Sequence, residues 1–447
     1  MLLRVLNGEN LFIKIFFYLC PMVYLSETKY MKKKIIFICV LLNLIFSISA
    51  SAQKFRTCVF SDQVKTLQVT IVDDPLSAPI IELEGNQLVE VNFDILESEA
   101  HAYTYTLTHC DADWNPSRLV QSEYMNGFQN RRIEDYSISY NTTMNYVHYR
   151  LEFPNEDIFL KVSGNYVVQV FPENSNKPIL NACFSVVEPV APISMQVTPL
   201  TDKGMNNLYQ QVNFTAGYGN EVKTPMVDLK VYVQQNDRFD NEAAQVKPLM
   251  VQNNKLVFEH IPALIFDGGN EYRNFEMITH QYNGLNIENI EFHPPYYHVI
   301  LRPDQIRSDR PYSYTQDING KFVIRTVSGT DYSYEADYQI VHFYLPCEKP
   351  FADKVYILGN LFNNILDERS RMDYSAQDKG YVKTALIKQG YYNYLYVTKK
   401  DGQSSGNTAT IEGNYFQTEN EYRVMVYFRP MGGRYDRLIG VKTIQFK

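Results

Sequence analysis

Tyr103-Thr104-Tyr105-Thr106-Leu107-Thr108 decides the fold class. Tyrosine or leucine occupies every second position, and threonine fills the gaps. Successive side chains of a strand point to opposite faces, so Tyr103, Tyr105 and Leu107 share one face. The same alternation returns downstream. Val227, Leu229, Val231 and Val233 alternate with Asp228, Lys230, Tyr232 and Gln234, and Tyr392, Tyr394 and Tyr396 alternate with Tyr391, Asn393, Leu395 and Val397. Turn formers punctuate such runs at Asp73-Asp74-Pro75, Ser163-Gly164-Asn165, Asp267-Gly268-Gly269-Asn270, Asn319-Gly320 and Asp401-Gly402. Short alternating strands separated by turn signals predict an all-β chain of tandem β-sandwiches. No long amphipathic helix is expected.

Two breaks divide the chain. Val187-Glu188-Pro189-Val190-Ala191-Pro192 reads as a linker, because prolines end strands and stiffen connections. A second break is expected within the Pro-, Ser-, Asp- and Gly-rich stretch Arg302 to Thr330. The expected organisation is a leader at 1–52 and three sandwiches at 53–189, 190–318 and 319–447.

The leader reads as a secretory signal peptide. Lys32, Lys33 and Lys34 form a positive start, Ile35 to Ile48 an apolar core, and Ala50-Ser51-Ala52 the small residues before a cleavage point between Ala52 and Gln53. Met31 is read as the true start; an extended or double leader is the rival reading of residues 1–30. No cysteine stands at the cleavage point, so no lipid anchor is expected. No later stretch approaches the roughly 18 apolar residues of a spanning helix. The mature chain is therefore expected to be soluble and to work outside the cytoplasm.

Six of the 42 Lys+Arg and two of the 50 Asp+Glu lie in the leader, which leaves the mature chain a formal charge of −12. An acidic chain of this kind argues against nucleic-acid binding. Tyrosine is abundant, 35 residues against one tryptophan, which suits half-buried sheet surfaces and contact surfaces. Four cysteines follow the leader: Cys58, Cys110, Cys183 and Cys347. An exported chain permits disulfides, and the pairing stays open. Without a C-x-x-C, redox catalysis has no local support.

Chemical constellations are sparse. His109-Cys110-Asp111-Ala112-Asp113-Trp114 mixes soft and hard ligands, but no second cluster completes a tetrahedral set. It reads as a strand end, with a turn through Asp111, Asp113, Asn115 and Pro116 and Trp114 packed over the sheet. His293-Pro294-Pro295-Tyr296-Tyr297-His298 offers two imidazoles, but its prolines make it extended, a rigid connector. Neither is taken as a metal site. There is no G-x-S-x-G, H-E-x-x-H, P-loop or G-x-G-x-x-G. Glu412 and Glu419 have no visible geometry for paired-carboxylate chemistry. No enzyme activity, cofactor or small-molecule substrate is expected.

Val355-Tyr356-Ile357-Leu358-Gly359-Asn360-Leu361-Phe362-Asn363, followed by Gly390-Tyr391-Tyr392-Asn393-Tyr394, resembles the early-set, Ig-like sandwiches attached to starch- and glycogen-active proteins. Those carry a tryptophan after the asparagine, which is missing here. The likeness thus speaks for the fold more than for sugar binding.

A wider resemblance rests on runs kept in order along nearly the whole mature chain. In the first third they are His109 to Ser117, Glu123 to Phe128, Ser139 to Thr142, Tyr146 to Arg150 and Ser163 to Tyr166. In the last third they are Gln389 to Tyr394, Ile411 to Tyr415, Thr418 to Tyr422 and Tyr435 to Leu438. Together they resemble the plug protein family of the type IX secretion system. The resemblance implies a non-enzymatic periplasmic protein that seals the periplasmic mouth of a very large outer-membrane β-barrel while no cargo is exported. Its implied partner is that translocon barrel. For contact with the barrel we single out Arg434, Tyr435 and Arg437 in the turn Gly432 to Arg437. The alternative is a periplasmic glycan-binding protein using the Gly390 to Val397 aromatic strand; a chaperone for exported cargo is a third reading.

Overall fold

In the strand Tyr103–Cys110 the two tyrosines and Leu107 are buried while the threonines between them are half-buried. It runs antiparallel to Gly164–Pro172, which in turn pairs with Leu180–Val187. The computed structural model describes residues 54–204, 208–327, 329 and 331–447. The expected leader, including Ala52 and Gln53, lies outside them. From Phe55 to Lys447 the chain forms one compact unit, and its fold is all-β, as the alternation implied. Among the described residues no helix is long and apolar enough to cross a membrane.

The first sandwich faces this sheet with a second one, made of Val64–Ile71, Val89–Ile95, Val147–Phe153 and Tyr136–Ile138. Aromatic rings fill the space between them. Phe153 and Tyr166 both stack on Phe184, at 5.8 and 5.5 Å between centroids. Side chains in such a core are close-packed, so the sheets hold their spacing. Every residue of Leu180–Val187 is buried, on both faces. Its outer face is covered by Tyr232, Met425, Tyr427 and Leu438 from the neighbouring sandwich.

The second sandwich corrects the expected boundaries. One sheet comes from the middle of the chain: Ile193–Thr198, Tyr209–Gly217, Lys255–Phe258, Met250–Gln252 and Ile265–Asp267. The opposing sheet joins Leu229–Gln235 to Glu421–Phe428 and Arg437–Gln445, with Leu229 opposite Phe428 and Val233 opposite Val424. The chain's end therefore closes the middle core, and residues 319–447 are not a separate unit. The physical cause is the both-face burial of Leu229–Gln235, which needs a partner strand with matching apolar faces. The linker after Val187 is pinned by that same end, since Val190 and Ala191 donate backbone hydrogen bonds to Ile439.

The third sandwich is inserted between these halves. Arg273–Met277, Gly390–Lys399, Phe322–Ile324 and Lys354–Leu358 face a five-stranded sheet of Ile287–His293, Tyr296–Leu301, Tyr338–Pro346, Gly380–Lys388 and Asp373–Ser375. The Pro- and Ser-rich stretch after Arg302, read as a domain break, is instead a strap across this sandwich. Arg307 of the strap forms an ion pair with Glu412 at 2.6 Å, and the Tyr312 hydroxyl donates to Glu271.

Candidate functional site

Three places carry the features a binding protein would use: the turn before Arg437, the loop end beside it, and a seam of buried charge. The turn joins Glu421–Phe428 to Arg437–Gln445 and lies against the first sandwich. Arg434 pairs with Glu123, and Arg437 pairs with Glu188. Tyr435 sets its ring edge-on to His109, 5.4 Å between centroids. Burial draws the His109 imidazole down to about 4, so the ring is a neutral packing partner. The centre of the turn is Asp436, fully buried, which accepts from Ala112 N at 3.0 Å, Lys230 Nζ at 2.9 Å and Arg429 Nε at 2.8 Å. The turn is thus a clasp between first and second sandwiches. Of the three residues singled out from sequence, Tyr435 and Arg437 are occupied inside it, and Arg434 remains half-exposed at its rim.

Sequence reasoning passed over Asp436, although an acid between Tyr435 and Arg437 was in view. The missing information was the burial that makes one carboxylate satisfy three donors.

Beside Arg434 the loops of the first sandwich leave large apolar side chains in water. Val120 is 62% exposed, Phe128 76%, Phe159 57%, and Met431 of the clasp 89%. Short-range bonds hold these loops together. Phe159 lies opposite Asn126 in a two-stranded ribbon, Gln121 Nε2 donates to Gly127 O at 2.8 Å, and Arg118 N donates to Arg434 O at 3.3 Å. Gly127 adopts φ +123°, and a Cβ there would meet Asp157 O at 2.1 Å, so only glycine fits. Ion pairs Arg131–Asp157 and Arg434–Glu123 flank the apolar group. An apolar centre with a polar rim is the anatomy of a contact surface.

The third place is the seam between first and third sandwiches. Asp94 of Val89–Ile95 is fully buried and lies 2.6 Å from Lys388 Nζ. The oxygen facing Lys388, Oδ2, also accepts from the Tyr338 hydroxyl at 2.6 Å, and the other, Oδ1, is 2.7 Å from His148 Nδ1. Lys388 also sits over the Tyr146 ring, 4.2 Å from its centroid, and donates to Ser333 O at 2.6 Å. Burial alone would raise Asp94, but Lys388 and His148 reverse this and hold it below the ordinary carboxylate range. Burial draws the Lys388 ammonium down, with Asp94 opposing.

The remaining constellations resolve plainly. His109 to Asn115 is a strand end and turn, with Trp114 at φ +65° packed among Cys110, Val167 and Cys183. Cys58, Cys110, Cys183 and Cys347 are free thiols. Burial pushes the Cys58 thiol up to about 11 and those of Cys110 and Cys183 higher. Tyr392, Tyr394 and Tyr396, the basis of the glycan reading, are buried in the third core and offer no face to a sugar. Glu412 is buried between Arg273 and Arg307, a structural pairing. Among the described residues no three His, Cys, Asp or Glu side chains surround one point as a metal site requires.

Residues 64–188, the first sandwich with its exposed loop end, match the family model described as "Type 9 secretion system plug protein 1st domain". The chain belongs to the type 9 secretion system plug protein family. A crystal structure of a hypothetical protein from Parabacteroides merdae extends the likeness past that domain. It is 47% identical, with a TM-score of 0.86, and the alignment covers 88% of this chain and 100% of that one. A second structure, titled BspA_C_WT, aligns at 7% identity and a TM-score of 0.14 and carries no argument. No curated protein matches the chain. The family assignment gives this plug-family chain a role connected with type IX secretion and no link to a known enzyme family.

Proposed function

We propose that the protein is a periplasmic plug that binds and seals the periplasmic opening of the type IX outer-membrane barrel while it is idle. The observation that carries this reading is the exposed apolar loop end on the domain that matches the plug family. Val120, Phe128 and Phe159 lie within residues 64–188, and folding gives them nothing to cover. A seal must be stiff and must also come away. Three close-packed sandwiches fixed by buried charge supply stiffness, and a small apolar centre ringed by ion pairs supplies a reversible contact. The contact is assigned to Val120, Phe128 and Phe159, and to Met431 and Arg434 of the adjoining turn, in place of Tyr435 and Arg437, which the clasp already occupies. Export would rest on the leader ending at Ala52.

The test is affinity purification of the tagged full chain from its native envelope in mild detergent, followed by mass spectrometry. The wild-type chain should bring one very large outer-membrane barrel. Phe128→Asp with Phe159→Asp should reduce that recovery at least about tenfold, since buried aromatic anchors carry most of an interface's energy. Absence of the barrel from the wild-type sample would refute the plug reading. Full recovery with the double variant would keep the plug and move the contact elsewhere.

A further inference from the structure

The hairpin Ile287–His293 and Tyr296–Leu301, turning at Pro294-Pro295, is joined to the rest of its sheet by a short parallel ladder. The Pro-Pro segment, read from sequence as an extended connector, is thus a turn. The ladder has three pairs, His298 with Ile340, Val299 with Val341 and Ile300 with His342. A histidine therefore stands at each end of it, one on either strand. Both point to the outer face, because Val299 and Val341 between them are buried in the third core. There they line an open depression of 580 Å³ together with Glu291, His293, Tyr344 and Asp378.

The two imidazoles are bonded to each other. His298 Nδ1 and His342 Nε2 are 2.8 Å apart, and the rings lie stacked with centroids at 5.1 Å. One nitrogen must donate and the other must accept, so a single proton lies between them. A first added proton settles on an outer nitrogen and strengthens the bond, since the donor ring becomes a cation. A second removes the lone pair that accepts, and two like-charged N–H groups then face each other. Few countercharges offset this. Ile287–His293 supplies Glu291, already 2.9 Å from His293 Nε2, and His293 itself, whose ring centroid is 5.0 Å from that of His298. Tyr338–Pro346 supplies Tyr344, whose hydroxyl donates to Asp378 O. Gly380–Lys388 supplies Thr384, with Oγ1 3.3 Å from His342 Nδ1, while its Lys383 alternates to the opposite face. The turn before it supplies Asp378, whose carboxylate accepts from Ser375 Oγ at 2.6 Å.

We propose that His298 and His342 are an acid-sensitive latch: one shared proton holds the hairpin's ladder to Tyr338–Pro346, and protonation of both rings loosens it. Burial and the nearby His298 and His293 draw the His342 imidazole below its ordinary 6.5, with Glu291 opposing. The opened ladder takes the proton more readily than the closed one. Protection is therefore full above the ordinary histidine value and falls as pH drops below it. Ile287, Val299 and Leu301 stay anchored in the core, so the ladder frays and the hairpin tip swings without unfolding the sandwich. This assignment does not depend on the plug reading.

The test is hydrogen-exchange mass spectrometry of the mature chain at roughly pH 7 and pH 5, with rates corrected for the chemical pH dependence of amide exchange. Peptides covering Tyr296–Leu301 and the start of Tyr338–Pro346 should exchange about tenfold faster at the lower pH, the effect of one pKa unit. Tyr103–Cys110, in the first sandwich, should keep its protection. His342→Gln and, separately, His298→Gln should flatten the response, because glutamine keeps one hydrogen bond to the remaining ring and takes no proton. His293→Gln leaves the pair intact and should respond as the wild type does. Equal corrected rates at the two pH values in the wild-type chain overturn the proposal. So does a response that Tyr103–Cys110 shares, or one that survives both His342→Gln and His298→Gln unchanged.

Discussion

The seam at Asp94 and the loop end at Phe128 reverse the usual partition in opposite directions. At the seam a lysine and an aspartate are withdrawn from water. At the loop end, two phenylalanines and a methionine stand in it. Burying the ion pair costs desolvation that its attraction barely repays, so it contributes little net stability. What it contributes is geometry, because Asp94, Lys388, His148 and Tyr338 satisfy one another in one docking of the two sandwiches only. The exposed rings cost nothing to the folded chain and fix nothing within it. One region holds the sandwiches to each other, and the other is free to hold something else.

Breaking the seam should have the largest effect. Lys388→Met leaves Asp94 buried without its ammonium partner, held only by His148 and the Tyr338 hydroxyl, and denaturant unfolding should show a loss of about 3–5 kcal/mol. Adding Asp94→Leu should recover most of it, because a buried pair can be replaced by apolar residues at little cost. A single variant as stable as the wild type would remove the seam from its role as a lock. Asp436→Ala comes next. It strips three donors of their acceptor, two of them charged, and the same measurement should show a loss of about 2–3 kcal/mol. At the loop end, Phe128→Asp with Phe159→Asp should move the unfolding midpoint by no more than about 0.5 kcal/mol while reducing barrel recovery. A large destabilisation there would show that the rings serve the fold, and the contrast with the seam would fail.

A pH-dependent effect concerns the strap. Burial raises the Glu271 carboxyl to about 7, the Tyr312 hydrogen bond only partly opposing. Its ordinary value is 4.5. Between those values the folded chain holds a proton that the unfolded chain has lost, so stability falls as pH rises through this window and levels off above it. Urea midpoints at roughly pH 5 and pH 7.5 should differ less in Glu271→Gln than in the wild type. An equal difference would leave Glu271 without a part in the pH response.

Much of the fold was legible because period two is a local signal. Tyr103 to Thr108 told which side chains share a face, and the structure buries that face. The turn at Trp114 was legible for the same reason, since Asp, Asn and Pro cluster within a few residues. The clasp was half legible. Its segment was singled out, but Arg434, Tyr435 and Arg437 were read as facing a partner, while the first sandwich already engages all three, Arg434 only at its exposed rim.

By itself the sequence determined the strands, their faces, the all-β class and, through ordered motifs, the family. Alternation says that a strand has a buried side; it does not say what buries it. The tertiary structure alone decided that Glu421–Gln445 closes a core begun at Ile193. It also turned the tyrosines of Gly390–Lys399 inward and left Phe128 outside. Those outcomes depend on contacts between residues far apart in the chain, where the match of two apolar faces and the satisfaction of buried charge select the partner.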